Sequence, residues 1–265
     1  MMRRLFIFIS LSIPFLLLIA GYLHPANAYQ VDLDQILAPA SWSHPLGCDE
    51  LGRDVLARMA QAICLSLSIS LAVIIFGGSL GISIGIVAAW YGGIGDTLLM
   101  RLADIILSFP GILLAIALAA MLGPGIDNLF IALLTVGWVG FARLSRAQVL
   151  SLKNSAYIQA AIACGSSLPS IAFRHLLPNI AAPLLVEASF GLAAVMIAEA
   201  GLSFLGVGVQ PPTASLGSMI REGTRFLLIE PWLVIWPGLV LFMLVMAINL
   251  WGDHLRDKLD VRMHP

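Results

Sequence analysis

Six apolar runs restrict what this chain can fold into: approximately Leu5 to Tyr22, Ile63 to Trp90, Ile105 to Leu122, Leu129 to Phe141, Ile180 to Phe204 and Trp232 to Trp251. A helix needs about 20 apolar residues to cross about 30 Å of hydrocarbon. The runs come near that length, and the fourth must borrow residues from Gly125 onward or from Ala142. They are continuously apolar and lack the alternation of an outer-membrane barrel, so strands are not expected. Only 11% of the residues are charged, against about 25% in soluble domains. The class these features define is an all-α, polytopic membrane protein with about six transmembrane helices.

Charge matters here by position. The formal net charge is -1, so no bulk field points to a nucleic-acid partner. If the N-terminus is cytoplasmic and all six runs span, ten basic residues lie on the inner side and four (Arg53, Arg58, Arg221, Arg225) on the outer. That bias predicts both termini in the cytoplasm. The first run has a second reading: Arg3, Arg4, an apolar stretch and Ala26-Asn27-Ala28 resemble a cleavable secretory signal. Retention as a span is expected from its length.

Between the first two runs, HPLGCDELGRDVLARM carries turn glycines at Gly47 and Gly52 and predicts an interfacial amphipathic helix, N-capped by Asp49 and ending near Ala60. Gly77, Gly81, Gly85 and Ala89 recur every four residues and predict close helix packing. Arg101, flanked by Asp96 and Asp104, predicts a solvated ion-pair cluster on the inner side. Two acids, Glu187 and Glu199, fall within an apolar run, twelve residues and so about 18 Å apart along a helix. Ionisable groups there are costly and usually face a cavity or partner, which makes both candidate pathway or gating residues. For Glu199 the alternative is a position near the outer end that water reaches; for Glu187 it is a hydrogen bond inside the bundle.

No catalytic residues or metal site are expected. Cys48, Cys64 and Cys164 have no ligand spacing, and the histidines are scattered. The two lysines, Lys153 and Lys258, follow no phosphate-loop frame. If nucleotide drives transport, the ATPase is another chain, and this chain holds no cofactor of its own.

Such a partner needs an inner surface, and the stretch YIQAAIACGSSLPSIAFRHLLPN, Tyr157 to Asn179, is the inner loop large enough to supply one. Ala156 to Ala163 favour a helix that Gly165 can end with positive φ. Ser166 and Ser167 can cap a second helix with Pro169 in its first turn. Pro178 is expected to break that helix before the fifth span. The result is a rigid two-helix knob with Arg174 and His175 nearby, able to sit in a partner's groove.

Here the residues resemble a known family. Gln159-Ala160-Ala161, Gly165 and His175-Leu176-Leu177-Pro178 are spaced as in the EAA loop of bacterial ABC importer permeases. HPLGCDELGRDVLAR, MRLADIILSFPGILLA, AEAGLSFLGVGVQPPTASLGSMI and WPGLVLFMLVMAINLWGDHLRD are similar to the C-type permease subunit of the branch serving dipeptides, oligopeptides and nickel. The resemblance covers nearly everything from Trp42 to Asp257. Departures are Gln159 for the acid that names the loop, His175 for isoleucine, Cys48 for a common threonine and Leu216 for a frequent tryptophan.

The resemblance implies a type I importer permease fold in the bacterial inner membrane. Its partners would be a homologous second permease, two ATP-binding subunits that hold ATP and Mg, an external binding protein, and lipid. Gln159, Ala160, Ala161 and Gly165 would form the coupling helix, with Arg174 beside it and Leu177 and Pro178 returning into the membrane. The implied organisation is residues 1-61 as first span and external segment, 62-252 as permease core containing loop 157-179, and 253-265 as cytoplasmic tail. Peptides are the expected cargo and nickel the alternative. Less favoured readings are a proton-coupled transporter using Glu187 and Glu199, or a non-transporting scaffold.

Overall fold

The computed structural model describes residues 12, 14–21 and 27–260, so the first expected span and its leader alternative fall largely outside the described residues. Among the described residues the architecture is helical, with a lone β-bridge between Cys48 and Asp54. After a helical segment over residues 14–21 (α1) come α2 (Val55–Tyr91), α3 (Gly93–Leu107), α4 (Gly111–Leu122), α5 (Ile126–Leu152), α6 (Ala156–Ala163), α7 (Leu168–Ile171), α8 (Leu177–Phe204), α9 (Leu216–Thr224) and α10 (Trp232–Asp260). Four helical stretches are long and apolar enough to cross a membrane, and α3 with α4 forms a fifth candidate bent by 88°.

Three expectations change. First, the external helix does not end near Ala60. Asp54, not Asp49, is the N-cap, its carboxylate accepting from the Ala57 amide at 2.7 Å, and the helix runs 37 residues without a break. Nothing between Ala60 and Ile63 disfavours helix, so the external turn and the second span fuse.

Second, the run Ile105 to Leu122 is not one straight span. It is cut at Ser108–Pro110, because Pro110 donates no amide and pushes Phe109 out of the helical region. Third, Arg101 does not gather Asp96 and Asp104. Asp96 instead takes a two-pronged hydrogen bond from Arg146 of α5, at 2.5 and 2.7 Å, and Asp104 lies 3.7 Å from Arg143. Asp96 and Arg101 are five positions apart on α3, so they point to different faces.

The short fourth run extends in both directions, beginning at Ile126 and ending at Leu152. Helix α5 packs along most of α2, and the small-residue stripe is the reason. A Cβ added at Gly81 would lie 2.2 Å from the Trp138 carbonyl oxygen, and one at Gly85 would lie 2.4 Å from that of Ala142. Ala89 is buried at the inner end of the same contact. Lipid offers no hydrophobic drive for association, so helices gain cohesion from such close backbone approach.

Gly81→Val is therefore expected to destabilise the purified protein by about 1 to 3 kcal/mol through overpacking. Gly238→Ala, in α10 where no atom lies within 4 Å of the new methyl, is expected to be neutral. Thermal unfolding in detergent checks the pair; equal melting points would refute the packing account.

Candidate functional site

The inner loop folds as a knob, but its geometry differs from the expected one. Helix α6 ends in paired bonds: the Ser166 amide reaches the Ala161 carbonyl at 3.1 Å and the Gly165 amide reaches that of Ile162 at 2.9 Å. This closure needs a left-handed residue at its turn, and Gly165 supplies φ +78°. Ser167 stands at the N-cap position of α7 with Pro169 in the first turn, as expected, but its side chain makes no capping bond.

Pro178 does not break the chain. Leu168 to Phe204 is one continuous helical rod of 37 residues, with a π turn over Ala172–Leu176 just ahead of the proline. A proline in a regular helix clashes with the carbonyl four residues back and lacks the amide that would bond it. The wider turn relieves that conflict: the Leu177 amide bonds five residues back to Ala172. Asn179 Nδ2 supplies a donor to the His175 carbonyl at 2.6 Å.

The knob has two faces. Ile158, Ile171 and Leu176 are fully buried against Ile86 and Ala89 of α2, Phe141 and Val149 of α5, and Ile180 of α8. Gln159, Ala160, Gly165, Arg174 and Pro178 are exposed, while Ala161 and Leu177 are half-buried. Lys153 fastens the approach to the knob: its Nζ donates to the carbonyls of Ala89 and Trp90 at 3.2 and 2.5 Å. A cation there also complements the C-terminal end of the α2 dipole. Gln159 Nε2 bonds the Lys153 carbonyl at 2.9 Å, so the residue standing for the usual acid is tied into the same junction.

The two acids of α8 have different surroundings. Glu199 is fully buried, not reached by water: it accepts from Ser66 Oγ of α2 at 2.7 Å and from Ser203 Oγ at 2.8 Å. Ser203 Oγ also accepts from the Val209 amide at 3.2 Å, which ties in the segment between α8 and α9, residues 205–215. Two hydroxyl donors satisfy oxygens that burial would otherwise leave without a partner. Glu187 is half-buried and lines a cleft between α2, α4, α5 and α8.

Sequence reasoning missed a buried ion cluster at the end of the bundle opposite the knob. Asp49 accepts from Arg53 Nε at 2.7 Å and Arg58 Nη1 at 2.5 Å, and Glu222 of α9 lies 2.9 Å from Arg58 Nη1 and 3.5 Å from Arg53 Nη2. Burial, then the charges of Asp54, Asp49 and Asp32, push the neighbouring Cys48 thiol up to about 11. Burial, then Glu222 and Asp49, hold Glu50 above the ordinary carboxylate range.

A bundle of apolar spans carrying a half-exposed knob between α5 and α8 defines a multi-pass membrane protein. Residues 81–265 match the family described as binding-protein-dependent transport system inner membrane component, and the chain belongs to that family. It is 35% identical over 252 residues to the dipeptide transport system permease protein DppC of Haemophilus influenzae, covering 93% of this chain and 85% of that one. Against the glutathione transport system permease protein GsiD of Pectobacterium atrosepticum it is 38% identical over 260 residues, covering 98% and 85%. A putative peptide transport system permease protein of Brucella suis is 40% identical over 269 residues, covering 99% and 90%. In fold it resembles an inward-facing conformation of the MetNI methionine ABC transporter, with TM-score 0.60 and 20% identity over 76% of this chain and 95% of that one.

In a Cys64→Ser, Cys164→Ser background, Cys48 is expected to resist maleimide at pH 8, because the thiol stays protonated well below about 11 and the thiolate is the nucleophile. Reactivity should rise as pH climbs toward that value. Asp49→Ala should expose Cys48 to reagent at pH 8 and cost about 3 to 5 kcal/mol by stranding buried arginine charge. Labelling followed by mass measurement decides it, and an unreactive Cys48 in the variant would show that the cluster does not hold the segment.

Proposed function

We propose that this chain is one of two permease subunits of an ATP-driven importer in the bacterial inner membrane. It carries short peptides handed over by an external binding protein. The observation that carries this reading is the two-faced knob. Its buried face is fixed to the inner ends of α2, α5 and α8, and its exposed face presents Gln159, Ala160 and Gly165 with half-buried Ala161 beneath. A surface so anchored and so small in side chain suits a partner's groove and moves with the span behind it. ATP and Mg belong to the partner ATPases, and both termini of this chain face the cytoplasm.

The cargo follows from the relatives. Those above are named for dipeptides, peptides or glutathione, and that favours peptide over nickel. The proton-coupled alternative loses one of its two acids, since Glu199 is bound by Ser66 and Ser203 inside the bundle.

A strain lacking this chain is expected to lose uptake of labelled dipeptide and to regain it with the intact chain, while nickel uptake stays unchanged. Gly165→Pro should abolish the rescue, because proline cannot adopt a φ of +78°, and the tagged variant should bring down less ATPase than wild type. Cys164, exposed at the end of α6, should react with maleimide in isolated permease and be protected once the ATPases bind. Full uptake in the Gly165→Pro strain would sink the coupling reading.

A further inference from the structure

Helix α8 carries two carboxylates whose surroundings are opposite, and the difference has a use. Glu199 is enclosed and hydrogen-bonded. Glu187, ten residues into the same helix and so about 15 Å from its inner end, makes no hydrogen bond or ion pair among the described residues. It faces a cleft of about 330 Å³, and every other lining residue is apolar or glycine, Ile112, Leu133, Val136 and Gly191 among them.

The cleft keeps room for this carboxylate. A Cβ at Gly140 of α5 would come within 2.5 Å of Glu187 Oε1, so a larger residue there would displace the acid. An unpaired carboxylate among apolar walls at mid-span is costly and calls for a mobile positive partner. A divalent metal does not suit it, since such ions take several polar ligands and this cleft offers one acidic side chain. An ammonium group suits it, needing one charge-assisted contact while the rest of its molecule lies against apolar walls. The volume falls at the lower end of small-molecule sites, about 300 to 1,000 Å³.

We infer that Glu187 receives the α-ammonium group of a short peptide on its way through the span, with the cleft walls taking the peptide's side chains. This rests on the peptide-permease reading above.

The test uses the complete transporter, with its ATPases and binding protein, in lipid vesicles. Glu187→Gln is expected to lower the maximal rate of dipeptide uptake about tenfold, the effect of losing one charged contact. KM, set at the binding protein, should be unchanged and ATP hydrolysis should continue. Glu187→Asp should restore most of the rate, which a merely space-filling role does not require. As a second measurement, excess dipeptide should slow modification of Glu187→Cys by a thiol reagent severalfold. Wild-type uptake in Glu187→Gln, failure of the aspartate to rescue, or no protection of the cysteine each overturns the assignment. If the wild-type complex hydrolyses ATP yet takes up no dipeptide, the peptide reading itself fails, and that result is distinct from failure of Glu187.

Discussion

The contact on which the rest of the structure depends is the approach of α2 to α5 across Gly77, Gly81 and Gly85. No side chain of α2 separates the backbones there, and Gly85 lies so close that an added Cβ would fall 2.4 Å from the Ala142 carbonyl oxygen and 2.0 Å from Ser145 Oγ. Helices this close share their ends. At the inner end their paired surfaces become the platform of Ile86, Ala89, Phe141 and Val149 on which the knob is seated. Toward the outer side Ser66 of α2 reaches across to Glu199 of α8. A looser α2–α5 pair would move the knob's platform, and the α8 anchor on α2 would shift relative to it.

Position along α8 gives each feature its role. The rod from Leu168 to Phe204 begins in the knob and passes Glu187 before it reaches Glu199. Its inner end is fixed by apolar burial and its outer half by hydrogen bonds to a carboxylate. Between these anchors the rod borders the cleft, where glycine and small residues leave the packing open. A displacement imposed on the knob therefore reaches the cleft through one helix, which the π turn keeps continuous through Pro178 and which carries a second proline, Pro183, before Glu187.

The sequence revealed what depends on local chemistry and concealed what depends on distant partners. The spacing of Gly77, Gly81 and Gly85 reported a packed face correctly, and Gly165 reported the left-handed turn that closes α6. Pro178 misled, because a π turn can absorb a proline that a regular helix rejects, and the residues of that turn carry no distinctive pattern. Pro110 was visible but lay inside an apolar run, and hydropathy counts length without registering a missing amide. The choice of Asp54 over Asp49 as N-cap turned on two arginines that recruit Asp49 into the buried cluster. Glu222, the fourth member, lies 169 residues beyond Arg53, and no local pattern joins them.

Hydropathy also treated Glu187 and Glu199 alike, since both are single acids in one apolar run. What separates them is the neighbour each meets: the Ser66 hydroxyl of α2 and the Ser203 hydroxyl one turn along α8 for one, the bare backbone of Gly140 of α5 for the other. Serines satisfy a carboxylate permanently, and a satisfied group costs the fold little and gains little from a passing cation. Glycine leaves the carboxylate its space but offers no side-chain donor. The free energy left unsatisfied at Glu187 is thus available to a ligand, whereas at Glu199 it has already been used to join α2, α8 and the segment between α8 and α9.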